Sequence, residues 1–101
     1  MMNQFMLVGR LASNPTEIEN LENGNVEVEI TIAIKREYCN ANGIYETDYV
    51  TCNIWNGIAK RVIENCKKGD LIGVRGRFIK NNKLLAERVT FLANKENNNG
   101  R

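Results

Sequence analysis

Histidine is absent from this 101-residue chain, tryptophan and proline occur once each, and cysteine three times. The absence of histidine removes the usual partner for a zinc site. Cys39, Cys52 and Cys66 also show no Cys-x-x-Cys spacing, so no metal and no cofactor is expected and the thiols are expected free and reduced. There is no Gly-x-Ser-x-Gly elbow, no glycine-rich phosphate loop and no carboxylate pair spaced for acid-base work, which argues against an enzyme. Glu27 and Glu29 share a strand face, an arrangement that ordinarily serves solubility. No apolar run is long enough for a signal peptide or a membrane span, because Phe5 to Val8 is followed at once by Gly9 and Arg10. A cytosolic, membrane-free location is expected.

What the chain does have is a composition suited to one globular domain: 43% hydrophobic residues over a length with no room for a second core. Its net charge of +2 is small, but the charge is unevenly placed. Met1 to Ile34 holds one cation against five acids, whereas Lys35 to Arg101 holds 13 cations against seven acids. Such a bias is as compatible with a solvated surface as with a polyanionic partner.

Gln4 to Leu11 is a compact apolar stretch with Gly9 at a bend, read as strand one. Ser13 to Asn25 carries the turn signals Asn14-Pro15 and Asn23-Gly24 and reads as a long loop or hairpin end. Val26, Val28, Ile30, Ile32 and Ile34 then alternate with polar or small residues through Lys35, a period of two that marks a strand. Asn42-Gly43 turns the chain back into Asp48 to Trp55, where Val50, Cys52 and Ile54 face one way and Tyr49, Thr51, Asn53 and Trp55 the other. From Ile58 to Cys66 the period becomes helical, with Gly69 placed as a C-terminal cap. Leu71 to Lys80 alternates again, with Arg75 and Arg77 opposite Ile72, Val74 and Phe78, and Asn81-Asn82 turns into a last strand, Leu84 to Leu92. Phe5, Phe78 and Phe91 read as core. Five strands with one helix between the third and fourth is the plan of an all-β OB-fold, a five-stranded Greek-key barrel. The domain is expected over residues 1–93, followed by a disordered polar tail over 94–101.

Four phrases in order carry a family likeness: LVGRL at Leu7 to Leu11, VEITIA at Val28 to Ala33, TDYVTCNIWNG at Thr47 to Gly57 and KKGDLIGVRGRF at Lys67 to Phe78. Together with Asn14-Pro15 and Asn23-Gly24 between the first two, they make residues Asn3 to Leu92 resemble the single-stranded DNA-binding proteins of bacteria. The resemblance implies a non-catalytic barrel that coats single-stranded DNA without reading its sequence, in replication, recombination, repair or uptake of DNA. It further implies a nucleoid-associated homotetramer, or at least a dimer, joined through strand one around Gln4 to Val8.

Binding of this kind needs aromatic faces for bases and cations for phosphates. Alternation leaves Tyr49 and Trp55 on the less buried side of their strand, where packing under a loop or in a subunit contact is equally open to them. The resemblance places stacking aromatics at Trp55, Tyr49 and Tyr38. Arg75 and Arg77 are the first candidates for phosphate contacts, with Thr51 and Asn53 donating hydrogen bonds beside them. Lys35, Arg36, Arg10, Lys80 and Lys83 extend the set at the groove edges. Lys60, Arg61, Lys67 and Lys68 are assigned instead to a solvated helix face.

Two departures from the family pattern bear on function. The hairpin between the last two strands is short, so that the position of a further stacking aromatic falls at about Lys83. The chain also ends in polar sequence, Glu96 to Arg101, rather than an acidic tip, so tail-mediated recruitment of replication enzymes is not expected. These departures keep two other readings open: an adaptor similar to primosomal relatives of the family, chiefly holding proteins, and a single-stranded RNA binder.

Overall fold

A computed structural model describes residues 1–21 and 25–94; the Asn23-Gly24 turn and residues 95–101 of the expected tail lie outside the described residues. The elements in chain order are β1 (Phe5–Leu11), β2 (Thr16–Leu21), β3 (Asn25–Lys35), β4 (Thr47–Trp55), α1 (Asn56–Asn65), β5 (Leu71–Ile79) and β6 (Lys83–Ala93). None of the described helices is long and apolar enough to cross a membrane.

Five of the strands close into a barrel. β1 pairs with β5 along Phe5 to Arg10, β5 with β6, and β3 with β4 from Glu27↔Trp55 to Lys35↔Thr47. Two narrow seams join these sheets: a single parallel pair, Asn53↔Leu85, between β4 and β6, and two pairs, Arg10↔Ala33 and Leu11↔Ile32, between β1 and β3. β2 is a sixth strand, paired only with the N-terminal part of β3 as an arm outside the closure. It occupies the segment read from sequence as a loop or hairpin end.

The period of two in β3 works as expected: Val28, Ile30 and Ile32 point into the barrel and are buried with Cys52, Ile54 and Ile72. Each such aliphatic side chain taken fully out of water contributes about 1.5–3 kcal/mol. The closing corner requires glycine at position 9, where a Cβ would lie 2.5 Å from the Ala33 carbonyl oxygen and 2.7 Å from Ile32 Cγ2. Gly76 is under the same constraint, because a Cβ there would fall on the Leu85 carbonyl.

Helix α1 closes one end of the barrel with Ala59 and Val62, and Cys66 follows them into the core. The helix stops at Asn65, where Cys66 turns to extended backbone and its N–H donates to the Val62 carbonyl at 2.9 Å. Gly69 is therefore not the helix cap. It takes φ 93° inside the following turn, where the Asp70 N–H donates to the Lys67 carbonyl at 3.0 Å. The β5–β6 hairpin is as short as its sequence implies. A three-residue turn, Lys80–Asn82, carries Asn81 and Asn82 at φ 67° and 60°, a conformation asparagine tolerates better than most residues.

The core assignment of the phenylalanines needs correcting. Phe5 is buried, but Phe78 is 41% exposed and meets Phe5 edge-on at 5.9 Å, while Phe91 is 44% exposed. The register shifts at Arg75/Gly76 and Leu71/Ile72 leave Glu87 and Leu92 as extra residues on β6 and so break the alternation of the strand that carries Phe91, whereas Phe78 lies near the end of β5.

Candidate nucleic-acid interface

The outward face of β3 and β4 is built from cross-strand pairs: Ala33↔Tyr49, Thr31↔Thr51, Glu29↔Asn53 and Glu27↔Trp55. Tyr49 is 67% exposed and Trp55 42% exposed, one at each end of this face. Six residues at about 3.3 Å each set them roughly 20 Å apart, so several nucleotides would lie between bases stacked on the two rings. The floor between them is low, with the Thr31 and Thr51 hydroxyls sharing a 3.1 Å hydrogen bond. Tyr38 is 82% exposed on the loop beyond β3.

Asn53 shares the face of Tyr49 and Trp55 yet is 7% exposed, because β6 reaches β4 at this one position. Its amide donates to Glu27 Oε2 at 2.6 Å, so Asn53 fixes a carboxylate opposite Trp55.

The arginines fall into two groups. Arg36 donates from Nε and Nη2 to the two Asp48 carboxylate oxygens, at 3.1 and 2.9 Å, and its Nη1 pairs with Glu46 at 3.0 Å. The hydrogen bond with Arg36 holds the Asp48 carboxyl below its ordinary range, and the same bond together with both carboxylate charges raises the guanidinium. Arg77 Nε pairs with Glu87 at 2.9 Å, and Arg10 Nη1 donates to the Gly69 carbonyl at 3.0 Å. Arg61, Arg75 and Arg88 are exposed. Lys80 and Lys83 are exposed at the β5–β6 hairpin. Lys35 is exposed at the end of β3 nearest Tyr49, with its ammonium over the Tyr45 ring at 5.4 Å from the centroid. The face thus has cations at the Tyr49 end and Glu27 and Glu29 toward the Trp55 end.

Tyr45 and Arg88 were not singled out by sequence reasoning. Tyr45 lies in the loop between two strands, where no alternation speaks to it, and Arg88 follows the bulge that breaks the alternation of β6. Among the described residues, no three His, Cys, Asp or Glu side chains are grouped to hold a metal ion. Burial pushes the Cys52 thiol up to about 11 and also raises Cys66, with Asp70 adding to the latter, whereas Cys39 is exposed.

Comparison with known proteins bears on this surface. The family model described as "Single-strand binding protein family" matches residues 2–87. "Single-stranded DNA-binding protein B" of Bacillus subtilis is 42% identical over 78 residues, covering 77% of this chain and 68% of that one. "Single-stranded DNA-binding protein 3" of Listeria innocua is 35% identical over 112 residues, covering 99% of this chain and 69% of the relative. The crystal structure of the SSB domain of a Synechococcus protein superposes with a TM-score of 0.72 over 89% of this chain and 96% of that chain, at 19% identity. That likeness confirms the barrel.

Proposed function

From the premise that this chain belongs to the single-strand binding protein family, we propose that it is a non-catalytic protein that coats single-stranded DNA without sequence preference, in the replication, recombination, repair or uptake of DNA. The observation that carries this reading is the exposure of Tyr49 and Trp55 on one outward strand face of a closed barrel. Aromatic rings held out of a packed core offer every base the same π-face, worth about 1–3 kcal/mol per stacked base. Tyr38 extends the platform from the loop. Arg75, Lys35, Lys80 and Lys83 hold phosphates, with Arg36 and Arg77 available once the strand displaces their carboxylate partners.

A homo-oligomer, tetrameric or dimeric and located in the cytoplasm, completes the proposal. It is supported by the edge of β1 facing away from β5, which meets β3 only at Arg10 and Leu11 and has no strand partner along Phe5 to Gly9 among the described residues. Such an edge invites pairing with a second copy.

The test is a titration with an unstructured thymidine oligomer, following Trp55 fluorescence at two salt concentrations, with matched RNA and duplex DNA beside it. Quenching by the single strand, weakened by salt and absent with duplex, is the expected result. Binding of none of the three would overturn the reading and favour a protein-holding role. Preference for the RNA would reassign the ligand.

A further inference from the structure

Glu27 stands on the face proposed to hold a polyanion, as the direct cross-strand partner of Trp55. Such partners carry their Cβ atoms about 4.5–5.5 Å apart. A carboxylate at that place repels phosphates, yet the fold fixes it there. The buried Asn53 amide donates to Glu27 Oε2 at 2.6 Å, and β6 covers Asn53 through its pair with Leu85. Among the described residues no cation pairs with Glu27, which is half-buried. An ionised carboxylate has about four acceptor sites and no donor. Asn53 takes one of these, and acceptor sites remain for a ligand beside the Trp55 ring.

Resting on the strand-binding reading above, we infer that Glu27 selects the base stacked on Trp55, the one exception to the sequence tolerance of the face. A base lying flat on the ring presents hydrogen-bonding groups only around its rim, and a carboxylate one strand away is within reach of that rim. An acceptor-only partner sorts the four bases. Guanine offers two adjacent donors, N1–H and its N2 amino group, which a carboxylate accepts bidentately. Adenine and cytosine each offer an amino group beside an acceptor ring nitrogen. Thymine offers one N–H between two carbonyl oxygens that repel the carboxylate. Guanine is therefore favoured at this position and thymine disfavoured. Two charge-assisted hydrogen bonds to guanine offset the repulsion between Glu27 and the phosphates, which a thymidine strand meets without that gain. Further along the face, the Thr31 and Thr51 hydroxyls share a hydrogen bond and can each donate or accept, so they do not discriminate in this way.

The experiment titrates the full chain and a Glu27→Gln variant with three labelled thymidine oligomers of about 10 nucleotides, within the range one barrel of this fold covers. One is all thymidine, one carries a single central deoxyguanosine and one a single central deoxyinosine; fluorescence anisotropy reads the binding. Inosine keeps the guanine ring system and N1–H but lacks the N2 amino group, so it separates hydrogen bonding from stacking. The parent is expected to bind the guanosine oligomer about fivefold more tightly than the inosine one, the low end for a bidentate base contact. Glutamine keeps an oxygen to accept from Asn53, so the variant should melt like the parent. It is expected to bind the guanosine and inosine oligomers alike, and the all-thymidine oligomer more tightly than the parent does, because one repelling charge is gone. Equal affinity of the parent for all three oligomers, or a guanosine preference that survives in the variant, overturns the selection by Glu27 and leaves the strand-binding reading standing. Binding of none of the three by the parent overturns that reading, and the selection with it.

Discussion

Replacing Glu87 with glutamine is expected to tighten strand binding. In the free protein Glu87 holds Arg77 Nε at 2.9 Å, with both side chains 51% exposed. An ion pair that exposed is worth at most about 1 kcal/mol, and a phosphate must overcome that amount to recruit Arg77. Since 1.4 kcal/mol is tenfold in affinity, release of the arginine tightens binding by up to about fivefold. The salt dependence steepens by up to about 0.7 log units if Arg77 gains a full phosphate contact. Glutamine keeps the length and the hydrogen-bonding oxygen of glutamate, so unfolding should shift by no more than about 1 kcal/mol, or roughly 4–8 °C in a domain of this size. Fluorescence titration of Trp55 at several salt concentrations, beside a circular-dichroism melt, measures all three quantities. Unchanged affinity and unchanged slope in a variant that melts like the parent would show that Arg77 touches no phosphate, and the reasoning about competing carboxylates would fail.

Trp55→Phe should retain most of the affinity and Trp55→Ala should lose about 1–3 kcal/mol, roughly 5- to 150-fold, as read by fluorescence anisotropy of a labelled oligomer. Gly76→Ala should cost about 3 kcal/mol or more, because the added Cβ meets the Leu85 and Ala86 backbone, which no rotamer change can move aside; a melting temperature within a few degrees of the parent would refute the packing described. A thiol reagent near pH 8 should modify Cys39 alone in the folded protein and all three cysteines after unfolding. Because burial raises the Cys52 thiol from 9.0 to about 11, its contribution to stability is whole below pH 9 and is lost as pH rises through about 11, which denaturant titrations across that window would reveal.

The barrel was legible because β3, β4 and β5 each bury one face, and a buried face writes a period of two. The arm β2 was not, since the sequence of Thr16 to Leu21 has only two apolar residues, Ile18 and Leu21, and a period of two assigns them to opposite sides. Parity placed Tyr49, Thr51 and Trp55 outward correctly but could not foresee that β6 would cover Asn53, a contact between residues 32 positions apart. The likeness in phrases marked candidate cations and could not show which ones the fold already holds. Arg36 pairs with carboxylates ten and twelve residues on, Arg77 with one ten residues on, and both distances are set by hairpins rather than by local sequence. Arg88 was hidden for a related reason, since the bulge opposite Arg75 and Gly76 reverses facing along β6.

The two narrow seams have a consequence for how the chain is made. Strands β2 to β4 and the β5–β6 hairpin are each assembled from neighbours in sequence, but β1 finds nearly all its pairing on β5, whose first residue, Leu71, lies 60 positions beyond Leu11. At about 5–20 residues per second, synthesis leaves β1 waiting roughly 3–12 s for its partner. During that interval an apolar strand, Phe5 to Leu11, has only its two-residue pairing with β3 to hold it. Among these strands β1 thus waits longest for its main partner, and a neighbouring nascent copy offers it an edge in the meantime.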